Sequence, residues 1–359
     1  MYSERILIKN GRIWDGFRFI TGDVALNEKE IVAVGNAEGF QPNITFDAQG
    51  DIIAPGLVDI HTHLRYLATP TYEINGEVVC FPNGVTAAAE AGVLQETGFC
   101  SYTSLALRLF ISVSVHDRHA DFTATERMIR FYGDKVIGVK ICFDKSFIGE
   151  CDATPLKETC EYARSKNLKV MVHCSDSPIP MAELLACLAP GDICTHIYQG
   201  VGHTSAEDGF ECLREARKRG IILDTGLAGG VHTDFEIAEQ AVKSGVLPDT
   251  ISTDITSFSA FKRGGKYGMG FAMSMMRQFG MTEESILRCV TTSAAAAIGL
   301  SDRCGVLEPG RPSDVTVLRY TDLKMDIQDK KGHVLLADKG YVCMLTVCGG
   351  YLVYRSDLF

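Results

Sequence analysis

Leu57-Val58-Asp59-Ile60-His61-Thr62-His63 is a short, apolar, largely β-branched run that stops on two histidines. Such a run reads as a buried strand, and two residues spaced by one share a side of it. Four further runs end on a polar residue in the same manner. Val136-Ile137-Gly138-Val139 leads to Lys140, Lys169-Val170-Met171-Val172 to His173, Asp192-Ile193-Cys194-Thr195 to His196, and Ile251-Ser252-Thr253 to Asp254. In a parallel α/β barrel the C-terminal strand ends converge on one face, so these six side chains would share one cup.

Around these five strands the middle of the chain alternates strand and helix patterns. Residues 85–90, 104–113 and 220–225 supply three more strands, which makes eight. Stretches 155–165, 181–187, 207–219, 235–244 and 283–289 carry apolar residues at helical spacing, with Thr154 and Thr282 as N-cap candidates. Residues 56–304 are therefore expected to form an α/β fold, a (β/α)8 TIM barrel. Both ends read differently. Short strands at 5–9, 23–26 and 30–34 are punctuated by turns at Asn10-Gly11 and Asn27-Glu28-Lys29. Strands at 314–318, 334–336, 342–347 and 351–354 follow near the C-terminus, with Gly349-Gly350 as a hairpin turn. The expectation is a small β-sandwich domain built from residues 1–55 together with 305–359.

Composition bounds the possibilities. The 359 residues are 46% hydrophobic and 22% charged, with a formal net charge of −10. No Lys/Arg cluster stands out against that charge, which argues against a nucleic-acid partner. No apolar run approaches the ~20 residues that a membrane helix needs, and the N-terminus shows no signal-peptide pattern. The 13 cysteines form no Cys-x-x-Cys pair, so most read as small buried hydrophobes in a reducing cytoplasm. Cys174, next to His173, is expected to point away from the cup because of the pleat. The expected partner is a small-molecule substrate, and a homo-oligomer is expected.

His-x-His alone is a weak signal, since core histidines with satisfied hydrogen bonds are common. Four histidines, an aspartate and a lysine at strand ends are harder to explain in that way. A charged lysine buried at position 140 would be costly. Lys140 is either a surface lysine just past its strand, or an amine whose pKa is depressed so that it adds carbon dioxide. The carbamate so formed has two oxygens and can bridge two metals. It is the favoured reading, because a lysine falls on the strand between the third strand and the one that ends on His173; the competing lysines, Lys135 and Lys145, look like loop residues. Asp254 is either a helix N-cap or a ligand that also takes a proton from water. Two divalent ions, a carbamate, an aspartate and a hydroxide would leave about one net positive charge to polarise a carbonyl. Zinc suits the imidazole-rich set, though manganese, iron or nickel fit the same ligands.

His61-Thr62-His63, Lys140, His173, His196 and Asp254 together resemble the amidohydrolase superfamily, of the binuclear, carboxylated-lysine type. Ala54-Pro55-Gly56-Leu57-Val58-Asp59-Ile60-His61 is similar to that superfamily's passage into the barrel. Gly305-Val306-Leu307-Glu308-Pro309-Gly310-Arg311-Pro312-Ser313-Asp314-Val315 is similar to its return to the sandwich domain. The resemblance covers essentially the whole chain. It implies a metal-dependent hydrolase cleaving an amide or ester bond of a small, acidic molecule, with a hydroxide bridging two divalent metals. It further implies that His61 and His63 hold the more buried ion with Asp254, that His173 and His196 hold the other, and that carboxylated Lys140 bridges them.

Within the superfamily, His173-Cys174-Ser175-Asp176-Ser177-Pro178 and Pro248-Asp249-Thr250-Ile251-Ser252-Thr253-Asp254 look like a dihydroorotase-like branch that includes proteins called deacetylases and adenine deaminases. His61-Thr62-His63-Leu64-Arg65 is similar to dihydroorotase itself, where the arginine holds a substrate carboxylate. Thr86-Ala87-Ala88-Ala89-Glu90-Ala91-Gly92 lacks the Pro- and Asn-rich segment that completes that site, so dihydroorotase is not the expected reaction. Competing readings are a cyclic amidase or deaminase on the same cup, and a non-catalytic scaffold barrel. The scaffold would have lost ligands, and all six are present.

Arg65, Tyr198 and His232 are the candidate substrate contacts. Tyr198-Gln199-Gly200 follows His196 closely, and Gly226-Leu227-Ala228-Gly229-Gly230-Val231-His232 would bring backbone N–H groups and an imidazole to the rim, or be a flexible connector. His116 and His119 after the third strand are weaker candidates. Lys262-Arg263-Gly264-Gly265-Lys266 reads as a basic rim loop or a solvated one. Met269 to Met276 reads as helix core.

Overall fold

The computed structural model describes residues 4–64, 73–93, 105–262 and 267–359. Arg65, residues 263–266 and the side chain of Lys262 lie outside the described residues. The chain opens with β1 (Ile6–Trp14), β2 (Phe19–Leu26), β3 (Ile31–Gly35), β4 (Ile44–Asp47) and β5 (Ile52–Pro55). The first half of β1 pairs in parallel with β4, and the second half with β5. Between the halves the register shifts and Asn10 takes a left-handed φ of 60°. The expected Asn10-Gly11 turn is therefore an irregularity inside a strand. A side chain at Gly11 would run into that of Ile53, so close packing on β5 is what requires the glycine.

The curled parallel sheet follows: β6 (Leu57–Thr62), β7 (Val85–Val93), β8 (Ala106–His116), β9 (His119–Asp121), β10 (Val136–Cys142), β11 (Lys169–His173), β12 (Ile193–Thr195) and β13 (Ile222–Asp224). Its order is β13-β12-β11-β10-β8-β7-β6, with β9 folding back antiparallel on β8. Alternation along the strands sorts core from cup. Val139 and Ile141, Val170 and Val172, Cys194, and Leu223 join the main apolar core. The residues interleaved with them, Lys140, His173, Thr195 and Asp224, carry the polar contacts of the cup.

The expected eighth strand, at 251–253, does not form as a regular strand. Single bridges tie Thr250 to Asp224 and Ile255 to Thr62, so this segment touches both edges of the seven-stranded parallel sheet. Its N–H groups explain the irregularity. Ser252 N donates to Thr225 Oγ1 (3.1 Å) and Thr253 N to Asp59 Oδ1 (3.1 Å), side-chain oxygens standing where ladder carbonyls would be. Asp254 N donates to the carbonyl of His61 at 2.8 Å.

The chain ends on β14 (Val315–Gln328), β15 (Val334–Cys348) and β16 (Tyr351–Arg355). The separate strands expected at 334–336 and 342–347 are one strand, and β14 and β15 form a long antiparallel hairpin. β14 pairs with β5, which joins both termini in one sheet of order β16-β15-β14-β5-β1-β2-β3. Ile6, Ile8, Ile13, Ile53, Val315, Val317, Leu345 and Val347 share its core. Among the assigned strands this is a single sheet rather than the two sheets of a sandwich.

Thr282 caps the helix Glu283–Val290 by accepting from Ser285 N (3.2 Å), as its sequence suggests. Thr154 instead is the first residue of its helix, Thr154–Ser165, and its N–H is taken by Asp152 Oδ1 at 2.9 Å. Met269, Met273, Met275 and Met276 are buried in the core. Among the described residues the cysteines are free, and no helix is long and apolar enough to cross a membrane.

Candidate metal centre

Four of the side chains flagged by sequence meet where β6, β10 and the 250–255 segment come together. His61 Nε2 lies 2.9 Å from Lys140 Nζ and 3.4 Å from Asp254 Oδ1. His63 Nε2 stands 2.9 Å from the same carboxylate oxygen. Lys140 is buried within β10 rather than exposed beyond it, and Met171 Sδ is its other neighbour at 3.3 Å. The surface-lysine reading is thereby excluded. Lys135 and Lys145 do lie outside the strand, and Lys145 pairs with Glu150 at 3.2 Å.

The remaining two face each other alongside. His196 Nε2 lies 2.8 Å from His173 Nδ1. His232 completes the group, its ring centroid 4.4 Å from that of His196 and 5.0 Å from that of His173. Its Nε2 is 3.6 Å from Asp254 Oδ2, so both carboxylate oxygens address imidazoles. Two sets of ligand atoms, His173/His196/His232 and His61/His196/Asp254, each fall within 4.8 Å of one another, close enough to hold an ion. Asp254 Oδ1 is buried and makes no hydrogen bond of proper geometry, although His63 Nε2 stands 2.9 Å away.

Each ring has an oxygen facing its outward nitrogen, and for His61, His196 and His232 that contact is a hydrogen bond. His61 Nδ1 meets Thr195 Oγ1 at 3.0 Å, and Thr195 donates to Asp224 Oδ2 at 2.7 Å. His63 Nδ1 faces Glu90 Oε1 at 3.7 Å, and Glu90 also accepts from Leu64 N. His173 Nε2 faces Asp144 Oδ2 at 3.4 Å. His196 Nδ1 meets the Gly226 carbonyl at 2.7 Å, and His232 Nδ1 meets Ser175 Oγ at 2.5 Å. The hydrogen bonds on His61, His196 and His232 fix the tautomer and leave their inward nitrogens free for a metal.

Electrostatics divides the rings. Burial, reinforced by Lys140, pulls His61 down to about 4. Burial also works against protonated His63, but Asp254 and Glu90 overcome it and push that ring up to about 9. Burial lowers Lys140 and favours its neutral amine. Burial opposes the charge of Asp254, yet His61 and His63 hold its carboxyl well below the usual range. His196 and Asp254 both adopt left-handed backbone, with φ of 66° and 50°. Strain of that kind persists where surrounding structure enforces it, often at functional sites.

Tyr198 is corrected. It is fully buried, and its hydroxyl donates to the Val246 carbonyl at 2.7 Å, so it is core rather than pocket wall. The left-handed turn at His196 redirects the chain and carries Ile197 and Tyr198 away from the cup. His119 is also elsewhere, exposed and paired with Glu158 at 2.7 Å; His116 pairs with it across the β8–β9 hairpin. Cys174 points away from the rings, toward the Thr195 carbonyl at 3.1 Å. Glu90, Asp144, Asp224 and Thr195 are additions that sequence reasoning missed. A glutamate inside the small apolar run Thr86-Ala87-Ala88-Ala89-Glu90 was the available signal, since an interior charge needs a partner.

The amidohydrolase family profile matches residues 52–350. A deacetylase of Agrobacterium fabrum is 27% identical over 329 residues, covering 85% of this chain and 80% of that protein. Among solved structures, a dihydroorotase superposes with a TM-score of 0.86 at 24% identity, covering 98% of both chains. An adenine deaminase superposes with a TM-score of 0.84 at 22% identity, covering 98% of this chain and all of that one. These two likenesses speak to the fold.

Proposed function

We propose, from the premise that this chain belongs to the amidohydrolase family, that it is a metal-dependent hydrolase removing an acyl group from a small amide or ester. One observation carries the reading. The imidazoles of His61, His63, His173, His196 and His232, with Lys140 and Asp254, turn their inward atoms on one another while oxygens face the outward ring nitrogens. The deacetylase name of the Agrobacterium relative supports acyl removal in particular.

His61, His63 and Asp254 would hold one divalent ion, and His173 and His196 the second, with zinc the best match to this nitrogen-rich set. A buried, neutral Lys140 suits carboxylation by carbon dioxide and a bridging role. When bound, such a pair of ions brings the pKa of water from ~15.7 toward ~7, providing hydroxide at neutral pH, and polarises the scissile carbonyl. The rest falls to the chain's own groups. Asp254 takes the proton released in the attack at a carboxylate oxygen. His232 Nε2, 3.6 Å from Oδ2, is positioned to pass it to the leaving group. The 250–255 segment would complete the barrel as its eighth member, with residues 1–55 and 305–359 as a second domain. Arg65 would orient an anionic part of the substrate, the free thiols fit a reducing cytoplasm, and a homo-oligomer is the proposed assembly.

The test is a hydrolysis screen of zinc-loaded protein against N-acyl amino acids, O-acyl hydroxy acids, cyclic ureides and adenine. Turnover of an acylated compound, abolished by chelation and restored by zinc, is the expected result. Turnover confined to ureides or adenine would replace deacylation with ring opening or deamination. Activity indifferent to chelation would end the metal-dependent reading.

A further inference from the structure

The long β14–β15 hairpin reaches from the terminal sheet to the rim of the cup, and its tip is fastened there. Asp329 Oδ2 accepts from Phe235 N at 3.1 Å, at the start of the helix Phe235–Lys243. Asp329 Oδ1 accepts from Lys331 N and His333 N, each at 2.9 Å, which shapes the turn. Lys331 Nζ then locks onto Asp234 Oδ2 at 2.6 Å. Fastened on both sides, Lys330 is held at the apex with its side chain exposed. No carboxylate among the described residues lies within ion-pair distance of it.

Lys330 borders two adjoining clefts. One is shared with Ser175, His232 and Thr233, and so opens onto the candidate metal centre. The other, of about 630 Å³, runs outward past Val231, Tyr267 and Phe271. Thr233 Oγ1 is buried in the wall of the inner cleft with no hydrogen-bond partner. Asp326, the exposed acid nearby, borders only the outer cleft. The inner cleft is narrow, about 10 Å³, with the Thr233 hydroxyl buried in its wall, and the way from His232 toward solvent leads past the uncommitted Lys330 ammonium.

We infer that Lys330, with Thr233, is a specificity-determining residue that binds a carboxylate on the substrate portion remote from the scissile bond. This rests on the metal-hydrolase reading and narrows it to carboxylated acyl compounds. The anion accepts from the Lys330 ammonium and from the Thr233 hydroxyl, while Lys331 stays engaged with Asp234. A charge-assisted hydrogen bond of this kind is strong enough to discriminate charged from neutral ligands.

Calorimetric binding to zinc-loaded, full-length protein tests it without requiring turnover. The probes are succinic acid monohydroxamate and its neutral succinamide counterpart, whose hydroxamate end takes metal and whose far ends differ in charge. The carboxylated probe should bind about tenfold more tightly to the native protein. Lys330→Gln should reduce that preference to about twofold, leave the neutral probe unchanged, and be rescued by Lys330→Arg. Equal binding of both probes to the native protein, or a preference that survives Lys330→Gln, would overturn the assignment and leave the metal centre intact. Binding of neither probe would sink the metal-centre reading, and this inference with it.

Discussion

Asp254 Oδ1 stands 2.9 Å from His63 Nε2, and Glu90 faces the other nitrogen of that ring. Two carboxylates on one buried imidazole keep it protonated up to about pH 9, against the pull of burial. A metal needs the bare nitrogen, so uptake must expel this proton. Zinc binding to the metal-free protein at pH 7 should release at least one proton, read from the dependence of the binding enthalpy on buffer ionisation. Affinity should climb by up to ~10-fold per pH unit and level off near pH 9. His61, held at about 4, should contribute no proton at pH 7. The metal-free fold has its own pH dependence. The His63 contribution is fully present below the ring's ordinary 6.5 and fades as pH rises toward 9. Proton-free zinc uptake at pH 7 would remove His63 from the ligand set.

Glu90 acts through His63 rather than on substrate. Glu90→Gln keeps the shape but loses the charge, and zinc affinity should fall ~10- to 100-fold, the usual cost of losing a ligand's backing partner. Competition with a chelator measures this. The proton released from His63 should also shift to lower pH in this variant. Unchanged affinity and unchanged proton release would leave Glu90 as a packing residue.

Much of this centre was legible because each ligand candidate ends or interrupts an apolar run. His61, Lys140 and His173 stand out against Val, Ile and Met, and strand alternation sends them to one side. The backing oxygens were not legible in the same way. Asp144 comes from the turn after β10 and reaches His173 across strands, a pairing that only the register of β10 on β11 creates. Tyr198 failed for a local reason: sequence proximity to His196 says nothing once the backbone turns left-handed between cup and core. The eighth strand failed because the backbone N–H groups of Ser252 and Thr253 donate to side-chain oxygens of Thr225 and Asp59 rather than to ladder carbonyls.

Lys140→Ala should lower the zinc content and abolish most activity, since no other described lysine occupies the centre. A short carboxylic acid supplied in solution should partly restore metal content by standing in for the carbamate. The native protein expressed with bicarbonate should show a mass increment of one carbon dioxide under native conditions. Full metal content and activity in the alanine variant would return Lys140 to an ordinary buried amine.

Asp254→Asn should retain metal on the His173/His196 side yet lose about 10²–10⁴-fold in kcat, because an amide cannot accept the proton. Metal content has to be measured on the same sample, since the His61/His63 side also loses an oxygen. The paired variant His232→Asn separates the steps: it should slow turnover most for substrates with poor leaving groups. An Asp254→Asn enzyme within tenfold of the native one would take Asp254 out of proton transfer.

Gly226 tests whether the rigidity of the cup matters. Its carbonyl holds His196 Nδ1 at 2.7 Å, and its φ of 51° lies where a side chain is strained. A Cβ there would come within 2.5 Å of the same nitrogen and would also strike Thr195 Oγ1. Neither neighbour can yield cheaply. Thr195 is committed to His61 and Asp224, and His196 to His173. Gly226→Ala should therefore displace both rings and weaken both metal positions together, with zinc content falling below one per chain. Gly229→Ala is the control, because it also has positive φ but a Cβ there would meet only the Tyr267 ring, at ordinary contact distance. It should lose stability without losing zinc. If both variants bind zinc alike, then the glycines serve loop flexibility and the close approach at His196 has no part in holding metal.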